Sequence, residues 1–255
     1  EHINTVEFTI NQDENFILRQ IYNEKADIVC FSCYLWNIDI IKRVAKNLKK
    51  ICPDIRLIFG GPEVSYDSED FLKENLFADI VIRGEGERTF LELCRFFVDK
   101  NLDLDNIDGI TYRSNNNIIS NKNRAPINID ELDFVYDDLS EYSNKIIYYE
   151  TQRGCPYNCQ YCLSSIEKGV RFLSENRVKS DLKFFIDNKV KQVKFVERTF
   201  KCNKNHALMI WKYLIENDNG YTNFHMEITA DIIDDEILET LKQARKGLFQ
   251  FEIGV

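Results

Sequence analysis

Short runs rich in β-branched and aromatic residues alternate with segments of helical period along most of this chain, and that rhythm admits few folds. Parallel strands joined by covering helices are the expected solution. The strands expected in a first array are Thr5–Ile10 (TVEFTI), Ala26–Cys33 (ADIVCFSC), Arg56–Gly61 (RLIFGG) and Ala78–Gly84 (ADIVIRG). Between them Ile41, Val44, Leu48 and Ile51 recur at spacings of three and four, and Phe90, Cys94, Phe97 and Val98 form a second apolar stripe. Such stripes mark helices with one face on a sheet.

Around Gly109 the rhythm changes, and GITYRSNNNIIS reads as a hairpin turning at Asn115–Asn117. A polar, acidic connector runs from Pro126 to Asn144, and the alternation then resumes with KIIYYET, VKQVKFV, NFHMEITA and LFQFEIGV. The expected division is a first domain over residues 1–108, a hairpin and linker over 109–144, and a second βα array over 145–255. Four strands with three helices cannot close an eight-stranded barrel. The second array is therefore expected to be the N-terminal part of a (β/α) barrel, and the chain, which begins at Glu1, to be truncated at both ends.

Composition narrows the function classes. No run reaches the roughly 18 apolar residues of a membrane span, and no signal peptide opens the chain. A cytoplasmic protein with no membrane association is expected. The net charge of −9 is spread without a basic block, which argues against a nucleic-acid partner and for a small-molecule substrate. Eight cysteines without a secretory signal favour reduced thiols or metal ligands over disulfides, and three histidines are too few for a histidine-rich metal site.

Three of those cysteines fall within eight residues of TQRGCPYNCQYCLSS, as Cys155-x3-Cys159-x2-Cys162, directly after a predicted strand. Parallel α/β arrays place their sites at the carboxyl ends of strands. Soft thiolates on one loop suit an iron–sulfur cluster or zinc, and three ligands leave one metal position open. A closed structural or electron-transfer site, with Cys202 or His206 as fourth ligand, is the alternative from another functional class.

This motif, with Tyr161 before the last cysteine and the flanking RGCP and YCLSS, resembles the signature of the radical S-adenosylmethionine (SAM) enzymes. Gln152 stands where relatives often have serine or threonine. The resemblance implies that Cys155, Cys159 and Cys162 hold a 4Fe-4S cluster that binds SAM and cleaves it reductively to a 5'-deoxyadenosyl radical. It also implies a reducing flavodoxin or ferredoxin as electron donor. SAM contacts are implied at Tyr161, at Glu197, Arg198 and Thr199 after the second strand, at Glu227, Thr229 and Asp231 along the third, and at Gly254 in the closing EIGV.

The first array carries Ser32-x-Tyr34 after one strand, Gly60-Gly61-Pro62 after the next, and Gly84-Glu85-Gly86-Glu87 after a third. Together these resemble the Rossmann-like (flavodoxin-like) cobalamin-binding domain of the cobalamin-dependent radical SAM enzymes. RGEGERTF, the cysteine segment and FVERTF look like an Fe-S oxidoreductase-type branch of that group. The resemblance implies cobalamin contacts at Ser32, Tyr34, Gly60, Gly61, Gly84 and Glu85, and methyl transfer to an unactivated carbon. An oxidoreductase or cyclase that does not methylate is the other implied chemistry. The Asp-x-His-x-x-Gly motif that supplies a histidine to cobalt is absent from these residues. Of Cys30 and Cys33, in an apolar strand, at least one is expected to be core.

Overall fold

Where the apolar runs find neighbours they become strands. In the first part of the chain, helix α1 (Glu14–Asn23) precedes β1 (Ile28–Ser32), α2 (Ile38–Ile51), β2 (Arg56–Gly60), α3 (Pro62–Ser65), α4 (Ser68–Glu74), β3 (Ile80–Ile82) and α5 (Glu87–Asp99). The hairpin β4 (Ile110–Ser114) and β5 (Asn117–Ser120) then completes a sheet of order β1-β2-β3-β4-β5, parallel through β3 and antiparallel after it. Alternation sorts the side chains between two cores. Leu57, Phe59 and Val81 meet Ala45, Leu48 and Leu72 on one face, while Ile58, Ile80 and Ile82 meet Leu93, Ile110 and Tyr112 on the other.

The computed structural model describes residues 3–99, 103–115, 117–142, 145–163, 169–197, 199–200, 202–229 and 233–254. It divides into two units between Ile127 and Asn128. This differs from a separate linker over 109–144. Ile110 and Tyr112 are buried in a core of the first unit, and Ile129, Leu132, Phe134 and Tyr136 pack on the core of the second. The connector is thus shared out by its apolar residues, which its acidic composition hides.

Thr5–Ile10 is not a strand. Among the described residues its backbone pairs with no strand, and Val6 and Ile10 remain 44% and 50% exposed. A β-type pattern without a neighbour has nothing to pair with. Instead, α1 begins shortly after it, because the Asp13 carboxylate accepts the free N–H groups of Asn15 and Phe16.

The second unit starts with β6 (Ile147–Tyr149), followed by a two-stranded antiparallel ribbon of β7 (Gln152–Cys155) and β8 (Gly169–Phe172). Then come α6 (Glu175–Asp187), β9 (Gln192–Phe195), α7 (Lys204–Glu216), β10 (Asn223–Thr229), α8 (Asp235–Leu241) and β11 (Phe249–Gly254). The main sheet runs β11-β10-β9-β6 and is parallel throughout, so all four carboxyl ends share one edge. Val193, Phe195, Phe224, Met226 and Ile228 point to the helices and pack on Val178, Leu182, Phe185 and Trp211. Trp211 is fully buried and donates its Nε1–H to Met226 Sδ at 3.1 Å. The opposite face is polar, with Lys194 between Glu227 (3.3 Å) and Glu252 (3.5 Å). Among the described residues no helix is long and apolar enough to cross a membrane.

Candidate functional site

In the first unit, the strand ends are laced together by a main-chain bond and by the Ser65 hydroxyl. Cys33 N–H donates to Gly60 O at 2.7 Å, Ser65 Oγ donates to Gly61 O at 2.9 Å, and Gly84 N–H reaches Ser65 Oγ at 3.2 Å. This joins the loops that carry Ser32, Gly60, Gly61 and Gly84. Gly61 sits at φ +110°, and a Cβ there would lie 2.4 Å from Cys33 O, so only glycine fits. Gly84, at φ +67°, has nothing within 4 Å of its Cβ position and presents open backbone.

Tyr34 is exposed and stacks on Trp36 with ring centroids 4.7 Å apart, in a turn closed by Asn37 accepting the Tyr34 N–H at 2.8 Å. Glu85 behaves differently from its glycine neighbours: its carboxylate accepts the Ile127 N–H at 2.9 Å. Cys33 is wholly buried, and burial pushes its thiol up to about 12, which makes it core; Cys30 lies exposed on β1.

In the second unit, Cys155 ends β7 opposite Gly169, and Cys159 and Cys162 follow on the loop, brought together by a Cys162 N–H to Cys159 O bond of 3.0 Å. None of the three is in a disulfide, with Cys159 exposed and the other two half-buried. Tyr161 is 92% exposed. Gly154 lets the ribbon close: at φ +103° its Cβ would stand 2.1 Å from Gly169 O.

The ribbon is held from beneath. Thr151 and Gln152, both buried, precede Cys155, and Glu197 accepts the Thr151 N–H and hydroxyl at 2.7 Å each. Burial pushes the Glu197 carboxyl up to about 7, and the Thr151 bonds offset only part of that rise. Its second oxygen, Oε2, is buried and has no hydrogen-bond partner among the described residues. Gln152 donates to Thr199 O at 2.7 Å and accepts from Cys202 Sγ at 3.2 Å, while His206 Nε2 lies 3.2 Å from Thr151 Oγ1. Cys202 and His206, the two possible fourth ligands, are therefore both engaged with the root of the ribbon.

Thr229 ends β10 in register with Gly254, and its Oγ1 is also buried without a partner among the described residues. Glu227 lies one layer deeper, paired with Lys194. Arg198 and Asp231 lie outside the described residues.

No three His, Cys, Asp or Glu side chains among the described residues already converge as a metal-binding group. The fit to a cluster rests on the donor set, which is three cysteines, none in a disulfide, at the end of β7 and on the loop after it. Soft donors of this kind suit iron–sulfur chemistry. The Glu197 Oε2 is a buried acceptor with no hydrogen-bond partner among the described residues, on a carboxylate bonded to Thr151 at the root of that strand. In the first unit, Gly84 leaves backbone at the strand edge open to a ligand that approaches closely, whereas Gly61 serves the packing on Cys33.

Thr151, Gln152 and His206 are residues at the root of the ribbon that sequence reading did not place together. Their contacts join positions 46 to 55 residues apart, and no local spacing marks them.

Comparison with known proteins agrees with this division. The B12 binding domain model matches residues 3–94, and the Radical SAM superfamily model matches residues 149–255. An uncharacterized methyltransferase of Pyrococcus horikoshii is 34% identical in an alignment of 204 residues that covers 76% of this chain and 44% of that protein. An anaerobic magnesium-protoporphyrin IX monomethyl ester cyclase of Synechocystis is 33% identical over 133 residues, covering 48% of this chain and 26% of the cyclase. The chain thus spans less than half the length of either relative. Among solved structures, the radical S-adenosylmethionine methyltransferase TsrM of Kitasatospora setae, with cobalamin and a [4Fe-4S] cluster bound, superposes with a TM-score of 0.73. That match covers 95% of this chain and 51% of TsrM at 14% identity, a likeness of fold. The fold is a flavodoxin-like B12-binding domain followed by a (β/α) radical SAM-type domain.

Proposed function

Because the chain carries a B12-binding domain followed by a radical SAM domain, matching the cobalamin-dependent radical SAM enzymes, we propose that the protein is a cytoplasmic enzyme of that chemistry. Cys155, Cys159 and Cys162 hold a 4Fe-4S cluster. Tyr161, Glu197, Arg198, Thr199, Glu227, Thr229, Asp231 and Gly254 surround SAM, and Ser32, Tyr34, Gly60, Gly61, Gly84 and Glu85 line the cobalamin edge. When bound, these groups supply reductive cleavage of SAM to a 5'-deoxyadenosyl radical and a methyl group for an unactivated carbon of the substrate.

The chain's own part is to place and shield them. Gly84 keeps backbone open for close approach, the Thr151 main chain and the Gln152 side chain anchor the strand that ends in Cys155, and Glu197 Oε2 accepts the ammonium group of SAM. Electrons come from a reducing flavodoxin or ferredoxin, and neither nucleic acid nor membrane takes part.

The observation that carries this reading is the placement of three cysteines, none in a disulfide, on the segment that follows Thr151, the nearest of them four residues on, where the Thr151 N–H and hydroxyl meet the buried Glu197 carboxylate. Its test is anaerobic reconstitution of the full-length protein with iron and sulfide, followed by assay for 5'-deoxyadenosine and for product mass. SAM cleavage with a product heavier by one methyl unit supports it. Metal bound with no effect of SAM supports instead a closed structural or electron-transfer module. A second reading, a radical SAM cyclase or oxidoreductase that does not methylate, is favoured by the match to the Synechocystis cyclase. It predicts SAM cleavage with no added methyl.

A further inference from the structure

At the root of β7, side chains from three elements meet at one hydroxyl. Thr151 Oγ1 lies 2.7 Å from Glu197 Oε1 and 3.2 Å from His206 Nε2. The Thr151 N–H reaches the same Glu197 oxygen at 2.7 Å. A hydroxyl carries one proton, and Glu197 Oε1, which already takes the Thr151 N–H, is an acceptor. The Thr151 proton therefore points to Glu197, and His206 donates its Nε2–H to the Thr151 oxygen.

The imidazole is held for that task. Its ring packs on Phe172 of β8 with centroids 4.9 Å apart, and Asn203 Oδ1 accepts the His206 backbone N–H at the start of α7. Burial holds His206 below its ordinary pKa, which favours the neutral ring with a single N–H. A directional chain results, from His206 through Thr151 to Glu197. It satisfies one carboxylate oxygen twice and leaves Oε2, buried, with no partner among the described residues. A buried acceptor left open is costly unless something arrives to fill it.

Resting on the SAM-binding reading above, we propose that His206 is a positioning residue for SAM: through Thr151 it fixes the Glu197 carboxylate so that Oε2 faces the incoming ammonium group. A plain structural tether is a different role, and Gln152 fills it, bonded to Thr199 O and Cys202 on the neighbouring loop. The two roles separate experimentally, because a tether governs whether the cysteine strand holds its metal, whereas a positioning residue governs SAM affinity with the metal in place.

The test uses the full-length protein with reconstituted cluster, measuring iron per chain and the dissociation constant for SAM by equilibrium dialysis. His206→Leu and Thr151→Val are expected to weaken SAM binding about tenfold, the scale of one hydrogen bond to a charged group, with iron content unchanged. His206→Gln, which keeps an N–H donor, is expected to recover most of that affinity, and Thr151→Ser nearly all of it. Wild-type SAM affinity in His206→Leu would overturn the proposal, as would a loss of iron in step with the loss of SAM binding. Should His206→Leu fail to fold, Thr151→Val tests the same chain from its middle member. A wild-type protein that holds its cluster but binds no SAM would bring down the reading beneath the proposal, and is recognisable because no variant is needed to see it.

Discussion

Thr151 gives both its backbone N–H and its hydroxyl to one oxygen of Glu197, each across 2.7 Å, although 46 residues separate the two. The segment leading to Cys155 is thereby tied to the loop after β9, and a carboxylate is held inside the protein at the root of that segment.

That burial has a pH signature. The Glu197 carboxyl is raised from 4.5 to about 7, so the folded protein holds its proton more tightly than the unfolded chain does. The resulting stability is complete below the unfolded value of 4.5 and is lost as pH rises through about 7. Its ceiling is on the order of 3 kcal/mol. His206, lowered from 6.5 by burial, acts in the opposite sense and loses stability as pH falls. Denaturant unfolding of the metal-free protein at pH 5 and pH 8 should therefore be compared between wild type and Glu197→Gln, which keeps His206. Relative to the variant, wild type is expected to lose stability from pH 5 to pH 8.

Two glycines carry steric predictions. Gly154→Ala would set a Cβ 2.1 Å from Gly169 O and is expected to break the β7–β8 ribbon and to cut iron incorporation by more than half. Gly84→Ala meets nothing within 4 Å, although its φ is +67°. It should cost only about 1 kcal/mol, the penalty of the left-handed conformation. Thermal melts and iron analysis of both variants check the contrast.

Cysteine substitutions separate an open cluster from a closed one. Alanine at Cys155, Cys159 or Cys162 is expected to abolish or severely reduce iron binding. Cys202→Ala is expected to leave it intact, because Cys202 is committed to Gln152. Loss of iron in Cys202→Ala would point to four protein ligands.

Much of this architecture was legible in the sequence because it rests on periodicity. The runs around Ile28–Ser32, Arg56–Gly60 and Ile80–Ile82 and the four parallel strands of the second unit announce themselves by composition, and the cysteine spacing by its density. Thr5–Ile10 misled because a β-type pattern cannot reveal the absence of a partner strand. The ribbon was hidden for the converse reason: GVRF is too short to stand out, and Gln152–Cys155 gains its strand character only from pairing with it. The Thr151–Glu197–His206 contacts were invisible because they form between residues that only the sheet brings together.

The most direct test is electron paramagnetic resonance on the anaerobically reconstituted, reduced full-length protein, recorded with and without SAM. A reduced 4Fe-4S signal whose g-values shift when SAM is added is the expected result, as befits a cluster with one iron open to ligand. A cluster signal that SAM leaves unchanged would contradict it.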